Sequence, residues 1–427
     1  MKKIIVCIAA VAATAVLNGA DIGRVIVRQQ WPWSTHINVD FELSGVSAAA
    51  PADITLRCYD GETEIPSAKV SAAVSGRRFA VAEGGTHTLH LDPAALFGEE
   101  RKTVPDFKVV VTANETAAVD IEPIYMIVDL ATGEKKKLCR ADFYNYPEKY
   151  GTYETDFSVF GASTTLPSVF IWTGVTNNEE YVTTKLVLRR IPAAGAEWPF
   201  ASASSKITAK LTQDFWIGVF ELTQAQYYAL KGSYDGYFTN EETHPKHKTY
   251  PMCGVAWRDL PDGTEALGII ASRAGLTVNF PTELHWEYAA KGGAANATLG
   301  YSNVDRVAWY KKTTNESGHP EPVGRKYPNA FGLYDVLGNV REMCRDWYAG
   351  GCNTDIEAEF VEETGVTKSD SLAFLNTSTD GQAQKSVRGG FFNTANSAPP
   401  TVYLNQGSKY SGGNSYDGVR VWAVETP

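Results

Sequence analysis

The chain is 427 residues long, with 44% hydrophobic and 21% charged residues, the balance of an ordinary globular protein. Its length exceeds one typical domain, so two folded units are expected. The formal net charge of −10 excludes nucleic acid and anionic membrane as main partners.

The first twenty residues read as a secretory leader rather than as structure. Lys2 and Lys3 precede an apolar run from Ile4 to Leu17, and Asn18-Gly19-Ala20 offers a small-residue cut site. Cys7 lies in that run with no small-residue lipobox before it. The run is too short to span a bilayer and no later one is long enough, so an exported protein is expected, periplasmic or extracellular, with no membrane span. Five cysteines follow: Cys58, Cys139, Cys253, Cys344 and Cys352. None shows the paired spacing of a structural zinc site, and their odd number leaves at least one thiol over. A Cys344–Cys352 bridge is sterically conceivable.

Residues 21–120 read as a small Ig-like β-sandwich. Val25 to Leu43 alternates in part, and Ile54 to Tyr59 ends at the turn signal Asp60-Gly61. Arg78 to Val81 runs to Gly84-Gly85, Thr86 to Leu91 alternates cleanly, and Phe107 to Thr112 is a further strand. No helix stands out. His87 and His90 are three apart, which on a strand puts them on opposite faces and disfavours a metal pair. Residues 121–176 read as a β-rich connecting segment, with a strand at Ile124 to Leu130, a solvated turn at Glu134 to Lys137, a surface loop at Tyr144 to Tyr153 and a last strand at Phe170 to Gly174.

The second domain is placed at 177–427. Thr184 to Pro192, Phe215 to Glu221 and Pro251 to Trp257 read as strands. Thr223 is a helix N-cap for Gln224 to Leu230, and Gly263 to Ala274 has helical spacing with Gly275 as its C-cap. Thr282 caps a short helix that Gly292-Gly293 ends.

The stretch Pro328 to Trp347, PNAFGLYDVLGNVREMCRDW, carries two glycines six residues apart and ends in an amphipathic segment. Asp335, Asn339 and Glu342 lie between and after those glycines. Two readings stand: a helix entry built of ordinary turn residues, or a tight loop of oxygen ligands for a hard cation such as calcium.

Five motifs follow one another in order: FWIGVFELTQAQYY, FPTELHWEYAAKGG, PNAFGLYDVLGNVREMCRDW, VRGGFFN and GVRVW. Together, from roughly Thr184 to Val424, they resemble the formylglycine-generating enzyme family, also called the sulfatase-modifying factor domain. The resemblance implies an α+β, loop-rich, C-type-lectin-like fold, here preceded by the small all-β sandwich. The leader and the β-rich module, with its WPWS segment at Trp31 to Ser34, also look like secreted multi-domain bacterial members.

Active members oxidise a sulfatase cysteine to formylglycine with copper held by two cysteines, four and nine residues after the second glycine of the RGG motif. Counted from Gly390, those positions are Thr394 and Pro399, and neither supplies a soft thiolate for Cu(I). The segment from Val387 to Trp422 holds no cysteine or histidine, so no copper is expected. Another branch uses non-heme iron, which needs two histidines and a carboxylate. His244, His247, His285 and His319 fall in or near this domain, but the helical iron-binding partner domain is absent. For calcium, the resemblance implies carboxylates from Asp335 and Glu342 and backbone carbonyls from Gly338 and Val340, with a second site starting at Asn303-Val304. Such calcium would be structural. Arg341 stands where the family has a tryptophan.

The segment from Phe391 to Gly418 is rich in Asn, Ser, Tyr and Gly, as adaptable recognition loops are. Phe391, Phe392, Tyr403, Tyr410 and Tyr416 are its candidate ligand-binding residues, and a plain solvated loop is the other reading. Arg388 and Arg420 are expected to hold its ends through buried ion pairs. The function expected is an exported, calcium-stabilised binding or surface-associated module for a protein or glycan, without formylglycine-generating oxidase activity. The alternatives are a family enzyme working through another metal site and a mainly structural envelope module.

Overall fold

A computed structural model describes residues 5–8, 19–29, 35–98, 103–156, 169–202, 205–234, 236–261, 263–294, 304–314, 318–348, 384–396, 400, 405–409 and 412–426. The chain forms two compact units, one of residues 1–122 with 139–150 and one of residues 123–138 with 151–427.

The strands of the first unit are β1 (Ile5–Ile8), β2 (Asp21–Gln29), β3 (Ile37–Ser44), β4 (Ala52–Asp60), β5 (Thr63–Glu64), β6 (Val74–Ser75), β7 (Gly85–Leu91) and β8 (Thr103–Glu115). They make two four-stranded sheets, ordered β1-β8-β4-β5 and β2-β3-β7-β6. Alternation builds the core: Ile37, Val39, Phe41 and Leu43 of β3 are all buried, as are Ile54, Leu56 and Cys58 of β4 and Val109, Val111 and Ala113 of β8. β1, which the sequence places in a leader, pairs parallel to β8. His87 and His90 make separate bonds, to the Glu83 carbonyl and the Asn38 side chain.

Short helices are the surprise in this unit. α1 (Ser67–Ala73) has no side-chain cap and buries only Val70 and Ala73, too little periodicity to read. α2 (Pro93–Phe97) is capped by Asp92, whose carboxylate accepts the Ala94 N–H at 2.9 Å. α3 (Ala118–Ile121) precedes the crossing into the second unit. The tyrosine-rich stretch expected to be a loop contains α4 (Arg140–Asn145) and α5 (Pro147–Tyr150). Asn145 ties it to the first unit by accepting from the Arg78 and Phe79 amides and donating to the Phe79 carbonyl.

The second unit begins with β9 (Tyr125–Asp129), β10 (Lys135–Leu138), β11 (Lys185–Ile191), β12 (Glu197–Ser202), β13 (Ser205–Lys210) and β14 (Phe215–Gly218). It continues through α6 (Gln224–Lys231), α7 (Ala266–Ala274), β15 (Leu276–Asn279), α8 (Glu283–Ala290) and β16 (Ala308–Trp309). β17 (Leu337–Gly338), β18 (Arg341–Trp347), β19 (Gln384–Arg388), β20 (Asn405–Lys409), β21 (Asp417–Gly418) and β22 (Trp422–Glu425) follow. A six-stranded sheet, β10-β9-β11-β14-β22-β15, joins the unit's first strands to its last, and a four-stranded sheet, β20-β19-β18-β21, carries the later motifs. Long irregular segments link them, as an α+β, loop-rich fold requires.

Three expectations change here. The segment 121–176 is no connector: its β9–β10 hairpin completes the second unit's sheet, α4 and α5 belong to the first unit, Lys135–Leu138 is a strand rather than a turn, and Phe170 to Gly174 is an isolated bridge from Ile171 to Glu154 followed by a 3-10 turn rather than a strand. Pro251 to Trp257 makes two isolated bridges, Thr223 to Pro251 and Cys253 to Gly418, instead of a strand. Its path is set by Gly254, at φ 90°, where a Cβ would lie 2.3 Å from the Tyr237 ring. The amphipathic Arg341–Trp347 segment is a strand, not a helix.

The three expected helices are α6, α7 and α8. α6 opens with a capping box in which the Gln226 amide donates to the Thr223 hydroxyl and the Thr223 amide to the Gln226 side chain. The Thr223 hydroxyl also donates to the Val182 carbonyl at 2.6 Å. Thr223→Ala should therefore cost about 1–2 kcal/mol, read as a lower urea midpoint with an unchanged slope.

Candidate functional site

The turn that opens the central motif is pinned from below. Asn329 donates to the Ala289 and Ala290 carbonyls at the end of α8, and its own side-chain oxygen accepts the Phe331 and Leu333 amides. Asp335 and Asn339 then take left-handed backbone angles, φ 56° and 52°, which short polar side chains tolerate. Between them a Cβ on Gly338 would lie 2.1 Å from the Trp309 carbonyl oxygen, so only glycine fits.

Charged side chains converge beneath this loop, all of them buried. Glu342 presents both carboxylate oxygens to Arg420, at 2.6 and 2.8 Å, and one also accepts the Trp286 indole N–H at 2.7 Å. Arg420 donates further to the Gly218, Val219 and Tyr334 carbonyls. Its five N–H donors are thus all used. Glu221 accepts the Asn339 side-chain amide at 2.7 Å and the Val340 backbone amide at 3.1 Å. Burial, with the charges of Asp335 and Glu342, pushes the Glu221 carboxyl well above its usual range. Burial likewise pushes Asp335 up to about 6; its Oδ2 accepts the Gly324 amide at 2.6 Å and its Oδ1 has no partner.

A second buried cluster lies on β19 and α8. Arg388 donates to Glu283 at 2.8 Å and to Glu287 at 2.7 Å. Asp346 accepts the Glu283 amide on Oδ2 and leaves Oδ1 unpartnered. Arg388 and Arg420 both hold ion pairs in the interior, as the motifs imply.

On this frame sits a face of aromatic rings. Phe391 lies 4.6 Å from Tyr416 and 5.7 Å from Phe392, centroid to centroid. Phe392 contacts Phe238 edge-on at 5.8 Å, and Phe238 contacts His244 at 5.4 Å. His244 meets His319 at 5.1 Å, and His319 stacks on Tyr250. Phe392 is 1% exposed and serves as the packing centre, whereas Phe391, Tyr416, Phe238 and His244 are half-buried and Tyr237 is 50% exposed. Burial, with the charges of His319 and His247, holds His244 below the ordinary histidine range. Arg341 lies under the rings, its guanidinium carbon 5.6 Å from the Phe391 centroid and 5.9 Å from that of Tyr416. It is fixed by Asp417 at 2.6 Å and Gln406 at 2.9 Å. Gly413 of the same loop would place a Cβ 1.8 Å from the Gly254 carbonyl oxygen, so the two backbones touch. Tyr403 and Tyr410 lie outside the described residues.

Residues 182–422, more than half of the chain, match the sulfatase-modifying factor enzyme 1-like domain. The chain belongs to this family. Among similar proteins are the chaperone protein LppX of Paenibacillus barcinonensis, 29% identical over 32% of this chain and 63% of that one, and the formylglycine-generating enzyme of Thermomonospora curvata, 30% identical over 28% and 42%. The chain spans less than two thirds of either relative. A similar solved structure is Treponema denticola variable protein 1, with 20% identity, a TM-score of 0.44, and coverage of 56% of this chain and 95% of that one.

The residues of this sulfatase-modifying factor domain do not fit the family's copper chemistry. The Thr394 hydroxyl accepts the Phe391 amide at 2.9 Å and so shapes the aromatic face, and Pro399 lies outside the described residues. Cys58, Cys139, Cys253 and Cys344 are free thiols. Burial pushes Cys58 and Cys253 up to about 12, Cys139 up to about 11 and Cys344 well above its usual value. Cys352 lies outside the described residues. Of the histidines, His285 is held down to about 3 by burial and bonds Thr282, and His247 bonds Gln224.

The calcium set does not fit either. Asp335, Gly338, Val340 and Glu342 do come together, but Glu342 is committed to a guanidinium, which leaves Asp335 Oδ1 as the open carboxylate oxygen. Asn303 is outside the described residues, and the Val304 carbonyl accepts the Val307 amide. Among the described residues, no three or more His, Cys, Asp or Glu side chains are grouped to hold a metal ion. Sequence reasoning missed Phe238, His244, His319 and Tyr250 as part of the face, because they lie on loops far in sequence from Phe391 and Tyr416 and meet them only in the fold. The one signal was Arg341, a departure from the family pattern.

Burial and the nearby Glu283 charge push Asp346 up to about 7. A carboxyl whose folded value is raised binds a proton that the unfolded chain releases, so stability is highest at low pH and falls as pH rises from about 4 to about 7. Asp346→Asn keeps the acceptor for the Glu283 amide and removes the titration. Compared with the wild type, it should gain on the order of a few kcal/mol at pH 8 and almost nothing at pH 4, measured by urea unfolding at both.

Proposed function

We propose that the second unit is a recognition module, displaying its aromatic face to a protein or glycan ligand, and that it does not oxidise a protein cysteine to formylglycine. The observation that carries this reading is the placement of the half-buried Phe391 and Tyr416 rings over the fixed guanidinium of Arg341, with half-buried Phe238 joined to them through Phe392. Flat rings held at low conformational cost suit the apolar face of a sugar or a ligand's aliphatic side chain. The thiols support the negative half, since Cys253 and Cys344, the two described ones in this domain, are buried and burial pushes both upward. The leader-like run from Lys2 to Leu17, part of which pairs with β8 in this structure, is the sequence feature that supports export, which would bring the face to an outside ligand.

Incubation of the full chain with copper and a cysteine-containing sulfatase peptide should leave the peptide unchanged by mass spectrometry; formylglycine in the product would overturn the reading. On a glycan and peptide array, the wild type should give discrete hits. Phe391→Ala and Tyr416→Ala should each weaken them about tenfold with the melting transition kept, the loss of a single well-packed aromatic contact. Equal binding by both variants would move recognition off this face.

A further inference from the structure

Each of the two loops expected to bind calcium already has side-chain cations of this chain against it, one at the first and two at the second. At the first, the Arg420 guanidinium occupies the Glu342 carboxylate from two directions, and the Trp286 N–H takes a third approach. A carboxylate has about four lone-pair positions, so one remains beside a buried positive charge. A dication there would meet that charge in a medium where like charges repel strongly. Calcium also needs six to eight oxygens, and Asp335 Oδ1 is one.

At the second loop, the residue after Val304 shows the same pattern independently. The Asp305 carboxylate accepts from Lys312 at 2.5 Å and from the Tyr310 hydroxyl, and its backbone carbonyl accepts from the Lys326 ammonium at 2.5 Å. Lys326 is half-buried, with its ammonium 4.0 Å from the centroid of the Trp309 ring. The Trp309 carbonyl in turn accepts the Asn339 amide of the first loop. Cation and loop are thus joined in one chain of contacts.

We propose that Arg420 in the first loop and Lys312 with Lys326 in the second stand in for calcium, so that this domain is held together without a divalent ion. Fixed side-chain cations have a consequence that bound ions lack: they cannot be removed by dilution or by a chelator. The domain keeps its shape at any calcium level, and no calcium signal reaches the recognition face through these loops.

The test is thermal unfolding of the full chain in excess EGTA and in millimolar calcium chloride. The wild type should melt at the same temperature in both, whereas a saturated site would raise the midpoint by several degrees. A rise in calcium that Asp335→Asn or Asp305→Asn abolishes would overturn the proposal. A rise that survives both substitutions but is abolished by Asn303→Ala also overturns the proposal, whereas one that survives all three puts the ion outside the two loops and leaves the assignment standing. Arg420→Gln frees Glu342 and removes the cation, so it should melt lower than wild type and recover part of the loss in calcium. If that variant melts lower and calcium restores nothing, Arg420 is not standing where an ion fits and the substitution idea fails for the first loop. If Arg420→Gln does not fold, the wild-type, Asp335→Asn and Asp305→Asn melts decide alone.

Discussion

The second unit depends on one bidentate pair, Glu342 with Arg420, closed inside a unit whose sheets and helices are joined by long irregular segments. Burying two charges costs several kcal/mol in lost hydration, and their attraction repays this only when the geometry is tight and the remaining donors are bonded. Here both conditions hold, since the guanidinium's other N–H groups reach Gly218 and Val219 at the end of β14 and Tyr334 in the central motif. The pair therefore brings four separate pieces of chain into register. Its worth lies in specification more than in net stability. A well-packed apolar replacement can match the energy of such a pair, but no apolar group has five directional donors with which to select one arrangement of the loops.

The same strand carries that order outward. Successive residues of β18 point to opposite faces, so Glu342 turns into the frame while Arg341 turns toward the rings. β21 runs parallel beside it, with Arg341 opposite Asp417 and Glu342 opposite Gly418. Asp417 is thus placed by backbone pairing to bond Arg341, and the absence of a side chain at Gly418 leaves room for Val340, whose Cγ2 would lie 2.5 Å from a Cβ there. Asn339 completes the link, because its carbonyl accepts the Phe392 amide and its side chain reaches both Glu221 and the Glu321 backbone. Ring positions on the face follow from hydrogen bonds in the interior.

What could be read from the sequence divides along physical lines. The sandwich strands were legible because one face of each is buried and the other is wet, and the capped helices α6 to α8 because their end residues have a distinct chemistry. α1, α2, α4 and α5 were not, being four to seven residues long and burying two positions or fewer each. The Arg341–Trp347 strand was misread for a different reason. Its charges at Glu342 and Asp346 are buried, so polarity no longer marks the solvent side and the segment mimics an amphipathic helix. The engagement of Glu342 was hidden by distance in sequence: its partner Arg420 is 78 residues away, and no local window contains both. The two framework arginines, by contrast, were visible as charged residues inside apolar motifs.

Two departures from the family pattern lie within this one region, and they act together. Thr394 stands where a copper cysteine would be, and its hydroxyl now accepts the amide of Phe391. Arg341 stands where a tryptophan is usual, and its guanidinium lies under Phe391 and Tyr416. A thiolate at residue 394 would need an electropositive, water-accessible setting to stay ionised. A hydroxyl there needs only a donor, and finding one in the backbone it closes the turn that presents the ring. An indole at 341 would fill space beneath the face but could not bond Asp417 and Gln406 at once. Each change gives up a group suited to holding a reacting atom or filling a core. What each contributes instead is a directional bond that fixes an aromatic side chain. Both bonds converge on Phe391, one closing the turn that carries it and the other holding the cation beneath its ring.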